Sequence, residues 1–343
     1  MSTRRRQLGF LLNPYRFAGT VQQGALSMNG AATLTFVAAS IAAAPISADG
    51  IADLALSNDQ VGASALSVAG ASTVTLSGAS DAAGALSADA AASLDLTSEP
   101  AALLVDAADL DGTNDYVTRG AALTGQAASK TGILSFWIEP DALNAQLADS
   151  LDSDGGGWHP LQLFLNSAGN LSFTLNYVGG VAVSWNQGSN ALSAAGGWYH
   201  VLIAWDTAAG TAGSQCYIND TLVTLTTHTV NNQNVAWDGG DDYAVGATVS
   251  GVAKFNGGMA EFYLAPGQLL DFSVEANRRK FRTSAGKPAD LGANGETPTG
   301  TAALVYLHLD DGETANNFAI NRGTGGNLTV TGALTTFATS PSD

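Results

Sequence analysis

The chain has 343 residues, a formal net charge of −17 and a pI near 4.3, with only 13% charged residues. So acidic a chain excludes nucleic acid as its main partner, because phosphate contacts need clustered Lys and Arg. The single cysteine, Cys216, excludes an intrachain disulfide, and no run approaches the roughly 18 apolar residues of a membrane span.

Abundant Gly, Ala, Ser and Thr with few charges favour short strands and tight turns, so the expected class is all-β. At the N-terminus, MSTRRRQLGFLLNPYRFAG begins with Arg4, Arg5 and Arg6. The apolar stretch from Leu8 to Leu12 stops at Asn13-Pro14, too short for the core of a signal peptide. The expectation is synthesis in the cytoplasm without an export signal. Arg4, Arg5, Arg6, Tyr15 and Arg16 make residues 1–22 a basic-aromatic segment, read as a docking peptide for another protein.

Residues 23–100 repeat with a period of 20. Ala25-Leu26-Ser27 returns as Pro45-Ile46-Ser47, Ala65-Leu66-Ser67 and Ala85-Leu86-Ser87, and Leu34, Leu54, Val74 and Leu94 keep the same register. So do Phe36, Leu56, Leu76 and Leu96. Apolar and small polar residues alternate within each copy, the mark of a half-buried strand. Each copy therefore holds about two short strands and two turns, as a hairpin or a solenoid coil. The apolar columns are too few to form a core within one copy, so copies must stack or chains must wrap together. This predicts an elongated β-repeat stalk in a homo-oligomer, with a trimer preferred. The bland alternative is a flexible Ala/Ser/Gly linker.

From Leu103 the pattern changes to strand-like runs separated by Gly/Asn/Asp turns: Gly132–Ile138, Leu161–Leu165, Leu171–Tyr177, Val181–Trp185, Tyr199–Trp205, Cys216–Ile218, Thr221–Leu225, Tyr243–Val245, Gly258–Leu264 and Ala303–Leu309. One helix is expected over Asp271–Phe281, capped by Asp271 or Ser273. Many short strands over residues 101–343 read as a two-sheet sandwich. In Trp198-Tyr199-His200-Val201-Leu202-Ile203-Ala204-Trp205-Asp206 both alternating faces are apolar. That predicts an interior strand rather than a sugar platform.

Rings in polar, Gly-rich surroundings are better ligand candidates: Trp158, Trp185 with Asn186 and Gln187 after it, and Trp237. Such rings stack on a sugar face while the amides bind its hydroxyls. Asp152 with Asp154, and Asp238 with Asp241 and Asp242, offer oxygen ligands to a possible Ca²⁺, without EF-hand spacing.

Five stretches then resemble, in order, the laminin-G-like, concanavalin A-like jelly rolls. They are Leu110-Asp111-Gly112-Thr113-Asn114-Asp115-Tyr116-Val117, Ile133 to Pro140, the nonapeptide itself, Cys216 to Val223 and Phe255 to Leu264. The resemblance implies a two-sheet jelly roll after the β-repeats. Ala260 stands where the family usually has Asp, which weakens a metal site carried over there. Related hydrolases use E-x-D-x-x-E on a strand, and none of the six glutamates, Glu261 included, completes it. His159, His200, His228 and His308 show no metal spacing, so no enzyme is expected. The tail from Leu304 and the overall layout are similar to bacteriophage or prophage virion proteins. This implies a non-enzymatic fibre, spike or capsid decoration located in the virion. Other virion proteins would bind through the N-terminus, and host surface polysaccharide would be the ligand. The alternatives are a bacterial cell-surface carbohydrate-binding adhesin and a glycoside hydrolase.

Overall fold

The computed structural model describes residues 103–151, 158–238 and 242–343 in full, and the backbone of nine strands between residues 16 and 97. The chain divides into two units, residues 1–101 and 102–343.

In the first unit β1 (Arg16–Phe17), β3 (Leu34–Val37), β5 (Asp53–Ser57), β7 (Thr73–Ser77) and β9 (Ser93–Thr97) form one sheet. The other sheet consists of β2 (Leu26–Asn29), β4 (Ile46–Asp49), β6 (Ala65–Ala69) and β8 (Ala85–Asp89). Leu26 pairs with Ile46, Ile46 with Leu66 and Leu66 with Leu86, all in parallel. Phe36 pairs in the same way with Leu56, and Leu56 with Leu76. A hairpin makes antiparallel neighbours, whereas parallel ones need a crossover. Each repeat thus contributes one strand to each sheet, and its nearest partner is the next repeat. Of the residues expected to dock, Arg16 lies on β1; Arg4, Arg5, Arg6 and Tyr15 lie outside the described residues.

The second unit is a sandwich of two eight-stranded sheets in which every pairing is antiparallel. Its strands are β10 (Ala108–Asp111), β11 (Tyr116–Arg119), β12 (Thr131–Pro140), β13 (Ala145–Leu151), β14 (Leu161–Leu165), β15 (Leu171–Tyr177), β16 (Gly180–Gln187) and β17 (Tyr199–Asp206). They continue with β18 (Gln215–Ile218), β19 (Thr221–Leu222), β20 (Leu225–Val230), β21 (Asp242–Val245), β22 (Asn256–Pro266), β23 (Val305–Leu307), β24 (Thr329–Thr331) and β25 (Thr335–Thr336). Sheet 1 runs β19-β18-β17-β12-β22-β10-β25, with β23 on β22. Sheet 2 runs β20-β16-β15-β14-β13-β21-β11-β24. The all-β two-sheet expectation holds.

The main core lies between the sheets. Phe136, Ile138, Val201, Ile203, Trp205 and Phe262 from sheet 1 meet Leu163, Phe173, Leu175, Val183 and Trp185 from sheet 2. The outer face of sheet 1 is covered too. There Ile133, Leu202, Ala204 and Tyr263 pack against Phe272, Phe281, Leu291 and Ala303. This second layer is why β12, β17 and β22 read as continuous apolar runs rather than alternating ones.

The nonapeptide is core, as its two-sided pattern predicts. Val201, Ile203 and Trp205 face the main core, and Leu202 and Ala204 the outer one. His200 is buried against the Trp137 ring, 4.7 Å between centroids, with Nε2 2.9 Å from Ser135 Oγ. Burial, and then the nearby Arg282 charge, lower its pKa to about 3, so the ring is neutral.

Two expectations need correction. The helix shrinks to α1 (Glu275–Arg278), behind Val274, which makes no side-chain cap bond. Asp271 is taken up locally instead, accepting from Ser273 N at 2.9 Å and Ser273 Oγ at 2.6 Å. Phe272 and Phe281 then pin both ends of the segment into the outer core. The expected strand Thr221–Leu225 is really two, since the chain passes from sheet 1 to sheet 2 at buried Val223.

Candidate functional site

Trp185 does not face a ligand. It points inward from β16, 1% exposed, its ring 5.1 Å from Phe173. Trp237 is fully buried 6.1 Å from Trp205. Both rings fill the space between the sheets, which corrects their reading as sugar platforms. Gln187 is buried and fully engaged, accepting from Leu171 N at 2.8 Å and donating to Ser189 O at 2.8 Å and Asn190 O at 2.6 Å. Such bonds fix a turn and leave nothing for a sugar. Asn186, one position away, is exposed on the outer face of sheet 2. Trp158 is half-buried.

Of the acidic residues, Asp152, Asp154 and Asp241 lie outside the described residues. Leu151 pairs with Asp242 where β13 and β21 end, and Asp238 is exposed. Among the described residues no group of three His, Cys, Asp or Glu is placed to hold a metal ion.

A cavity of about 480 Å³ opens between Lys130, Tyr177, Val178 and residues 232–238. This lies within the range of small-molecule sites. Three separate pieces of chain build it: the lead-in to β12, the β15–β16 hairpin, and the segment that follows β20. That last segment is firmly held. Val235 exchanges backbone hydrogen bonds of 3.3 and 2.8 Å with Ser129, and Ala236 N donates to Asn176 O at 3.0 Å. Asn231 N donates to Ala182 O at 2.8 Å, and Asn231 Nδ2 to Val181 O at 2.7 Å. Buried Val235 and Trp237 anchor it from below.

With its backbone fixed, this segment turns Asn232, Gln233, Asn234 and Asp238 to solvent. Neither these side chains nor those of Lys130 and Tyr177 hydrogen-bond or ion-pair with any other described residue. The cavity thus has amide donors and acceptors, one carboxylate, one ammonium and a half-buried tyrosine ring, beside exposed Val178. That is the equipment for a polyol with one apolar face. Sequence reasoning found Asp238 but missed the rest. Asn231-Asn232-Gln233-Asn234, an amide run between two strand patterns, was the available signal.

A second polar cluster centres on Glu261, 2% exposed and at φ 51° where β22 slips register against β12. Its Oε2 accepts from Tyr306 OH at 2.8 Å, and its Oε1 meets His308 Nδ1. His308 Nε2 lies 2.9 Å from Asp310 Oδ1, and Arg322 bridges Asp310 at 3.2 Å and Glu313 at 2.7 Å. Burial works against a charged imidazole, but the hydrogen bond and charge of Glu261, then of Asp310, raise the His308 pKa. Glu261 thus has both carboxyl oxygens engaged inside the fold.

Residues 111–271 match the family model of the concanavalin A-like lectin/glucanases superfamily, laminin G type 3. The laminin-G-like, concanavalin A-like assignment of this domain is thereby supported. No curated protein matches the chain. Among solved structures, the native heptameric SAP-like pentraxin from Limulus polyphemus aligns at 11% identity and TM-score 0.37, over 52% of this chain and 81% of its own. A Bacteroides ovatus protein put forward as carbohydrate binding aligns at 15% and 0.46, over 70% and 62%. Domains LG4-5 of the mouse laminin α1 chain align at 16% and 0.36, over 52% and 49%. The chain therefore spans under two thirds of the last two.

Proposed function

We propose that the second unit is a non-catalytic carbohydrate-binding module that takes a sugar in the Lys130–Tyr177–Asn234 cleft. One observation carries this reading: polar side chains from three chain segments converge on one cavity without side-chain partners among the described residues. The match to a lectin/glucanase family model supports it. A non-catalytic role is supported by the carboxylates. Glycoside hydrolysis needs two facing across the bond, yet among the described residues Asp238 is the one acid that lines the cleft, and Glu261 is held by Tyr306 and His308.

The test is oligosaccharide binding by the full chain, screened on an array and measured by calorimetry. Tyr177→Ala and Asn234→Ala are each expected to weaken binding by about tenfold, while Trp185→Phe leaves affinity unchanged. Affinity unmoved by both cleft variants would sink the proposal, and shortened oligosaccharides after long incubation would restore the hydrolase.

We further propose that the chain is a bacteriophage virion component, docked through residues 1–22, with the β-repeats as stalk and the module binding host surface polysaccharide. Several copies held together raise effective affinity without new contacts. A purified particle lacking this chain would refute the virion role. A bacterial surface adhesin would instead be found on cells.

A further inference from the structure

The outward positions of β14, β15, β16 and β20 form two cross-strand rows on sheet 2. In one, Phe164 is opposite Ser172, Ser172 opposite Asn186 and Asn186 opposite Thr226. In the other, Gln162 is opposite Thr174, Thr174 opposite Ser184 and Ser184 opposite Thr229. All eight are exposed or half-buried, whereas Leu163, Phe173 and Trp185 between them are core. None of the eight is charged, on a chain whose net charge is −17. A solvated strand face ordinarily mixes charges of both signs. This one carries hydroxyls, amides and a single ring.

The floor is ordered before any ligand arrives. Ser172 Oγ donates to Asn186 Oδ1 at 2.5 Å, Asn186 Nδ2 to Thr227 Oγ1 at 2.7 Å, and the Thr174 and Ser184 hydroxyls lie 3.3 Å apart. Pre-set side chains lose little entropy on binding. One side is walled. On β13 the next outward positions, Gln146 and Asp149, are buried under residues 248–254, with Val249 N donating to Asp149 Oδ2 at 3.1 Å and Gln146 N to Ala253 O at 2.7 Å. The other side ends at the edge strand β20.

We infer that this face is a second binding surface, for an extended neutral polysaccharide. Its hydroxyls and amides recur about 4.8 Å apart across strands and about 6.7 Å along them, a lattice that meets successive sugar hydroxyls while Phe164 takes an apolar ring face. An anionic polymer meets repulsion from the whole chain, and a cationic one finds no carboxylate on the floor. The inference rests on the carbohydrate-binding reading and adds a ligand class and a locus separate from the cleft.

The experiment is affinity electrophoresis of the full chain through gels containing mixed-linkage β-glucan, galactomannan or dextran, and, as the anionic probe, polygalacturonate. Oligosaccharide binding and melting temperature are measured in parallel. Retention by at least one neutral polymer is expected, falling about tenfold or more in Thr174→Glu/Ser184→Glu, with oligosaccharide affinity and melting temperature unchanged. Phe164→Ser serves if the double variant fails to fold. Retention that survives the face variants, polymers bound no tighter than trisaccharides, or polygalacturonate bound as well as the neutral polymers would each overturn the inference. A chain that binds oligosaccharides but no polymer overturns the face and spares the cleft, whereas one that binds neither overturns both.

Discussion

Glu261 shows how a residue type misleads when its surroundings are unseen. On a strand, a lone glutamate in a glucanase-like domain is a catalytic candidate; in the fold it is buried and bonded to Tyr306 and His308. Glu261→Gln keeps one acceptor oxygen but puts an NH₂ where the second carboxyl oxygen meets a partner, so Tyr306 and His308 can no longer both be satisfied. Glu261→Gln is expected to cost about 3–5 kcal/mol of stability, read by urea unfolding, with oligosaccharide affinity retained. The sign of the pH dependence follows from His308, whose folded pKa is raised above about 6.5. Its contribution is complete below that value and is lost as pH rises through the raised folded value. Asp310 acts oppositely: its pKa is lowered by the His308 hydrogen bond. Its contribution holds above about 3.9 and is lost as pH falls through the lowered folded value. Unfolding free energy of His308→Gln should therefore lack the alkaline decline shown by the wild type.

Single strands were the most legible elements. Leu161–Leu165 and Leu171–Tyr177 are observed at their expected bounds, because apolar residues alternate cleanly over one buried face. β13 escaped notice, since Ala145, Ala148, Asp149 and Ser150 carry little hydrophobic contrast although all are buried. The site followed the same logic. Trp185 and Asn186 are neighbours in sequence and opposite in the sheet, so one became core and the other surface; only the phase of β16 separates them. Packing between elements is equally strict. A Cβ on Gly132 would come within 2.0 Å of the Trp205 ring, with no unusual backbone angle involved. Gly132→Ala should cost at least about 1–3 kcal/mol through overpacking, measured as a lower midpoint of thermal unfolding.

For the whole molecule, charge and binding are separate matters. The net charge of −17 makes the chain repel anions, yet the eight outward floor positions are uncharged and the described lining of the cleft holds one acid and one base. Affinity for a neutral polysaccharide should then change less than about twofold between about 50 and 500 mM salt, where a charged ligand would lose most of its attraction. Calorimetry across that range checks it. The layer over sheet 1, from Phe272 to Ala303, lies beyond the family match at residue 271. It turns an ordinary one-sided sheet into one buried on both faces.

The amino-acid sequence by itself determined the class, the period of 20 in the repeats, the interior character of Tyr199–Trp205 and the lack of a hydrolase motif. Each of these rests on local periodicity or on composition, which need no partner to be read. Tertiary structure alone decided that Trp237 is core, that Glu261 is bound up with His308, and that Lys130, Tyr177 and Asn234 share one cleft. Those facts join residues more than 30 positions apart, and no local pattern encodes which distant side chain will fill, satisfy or face another.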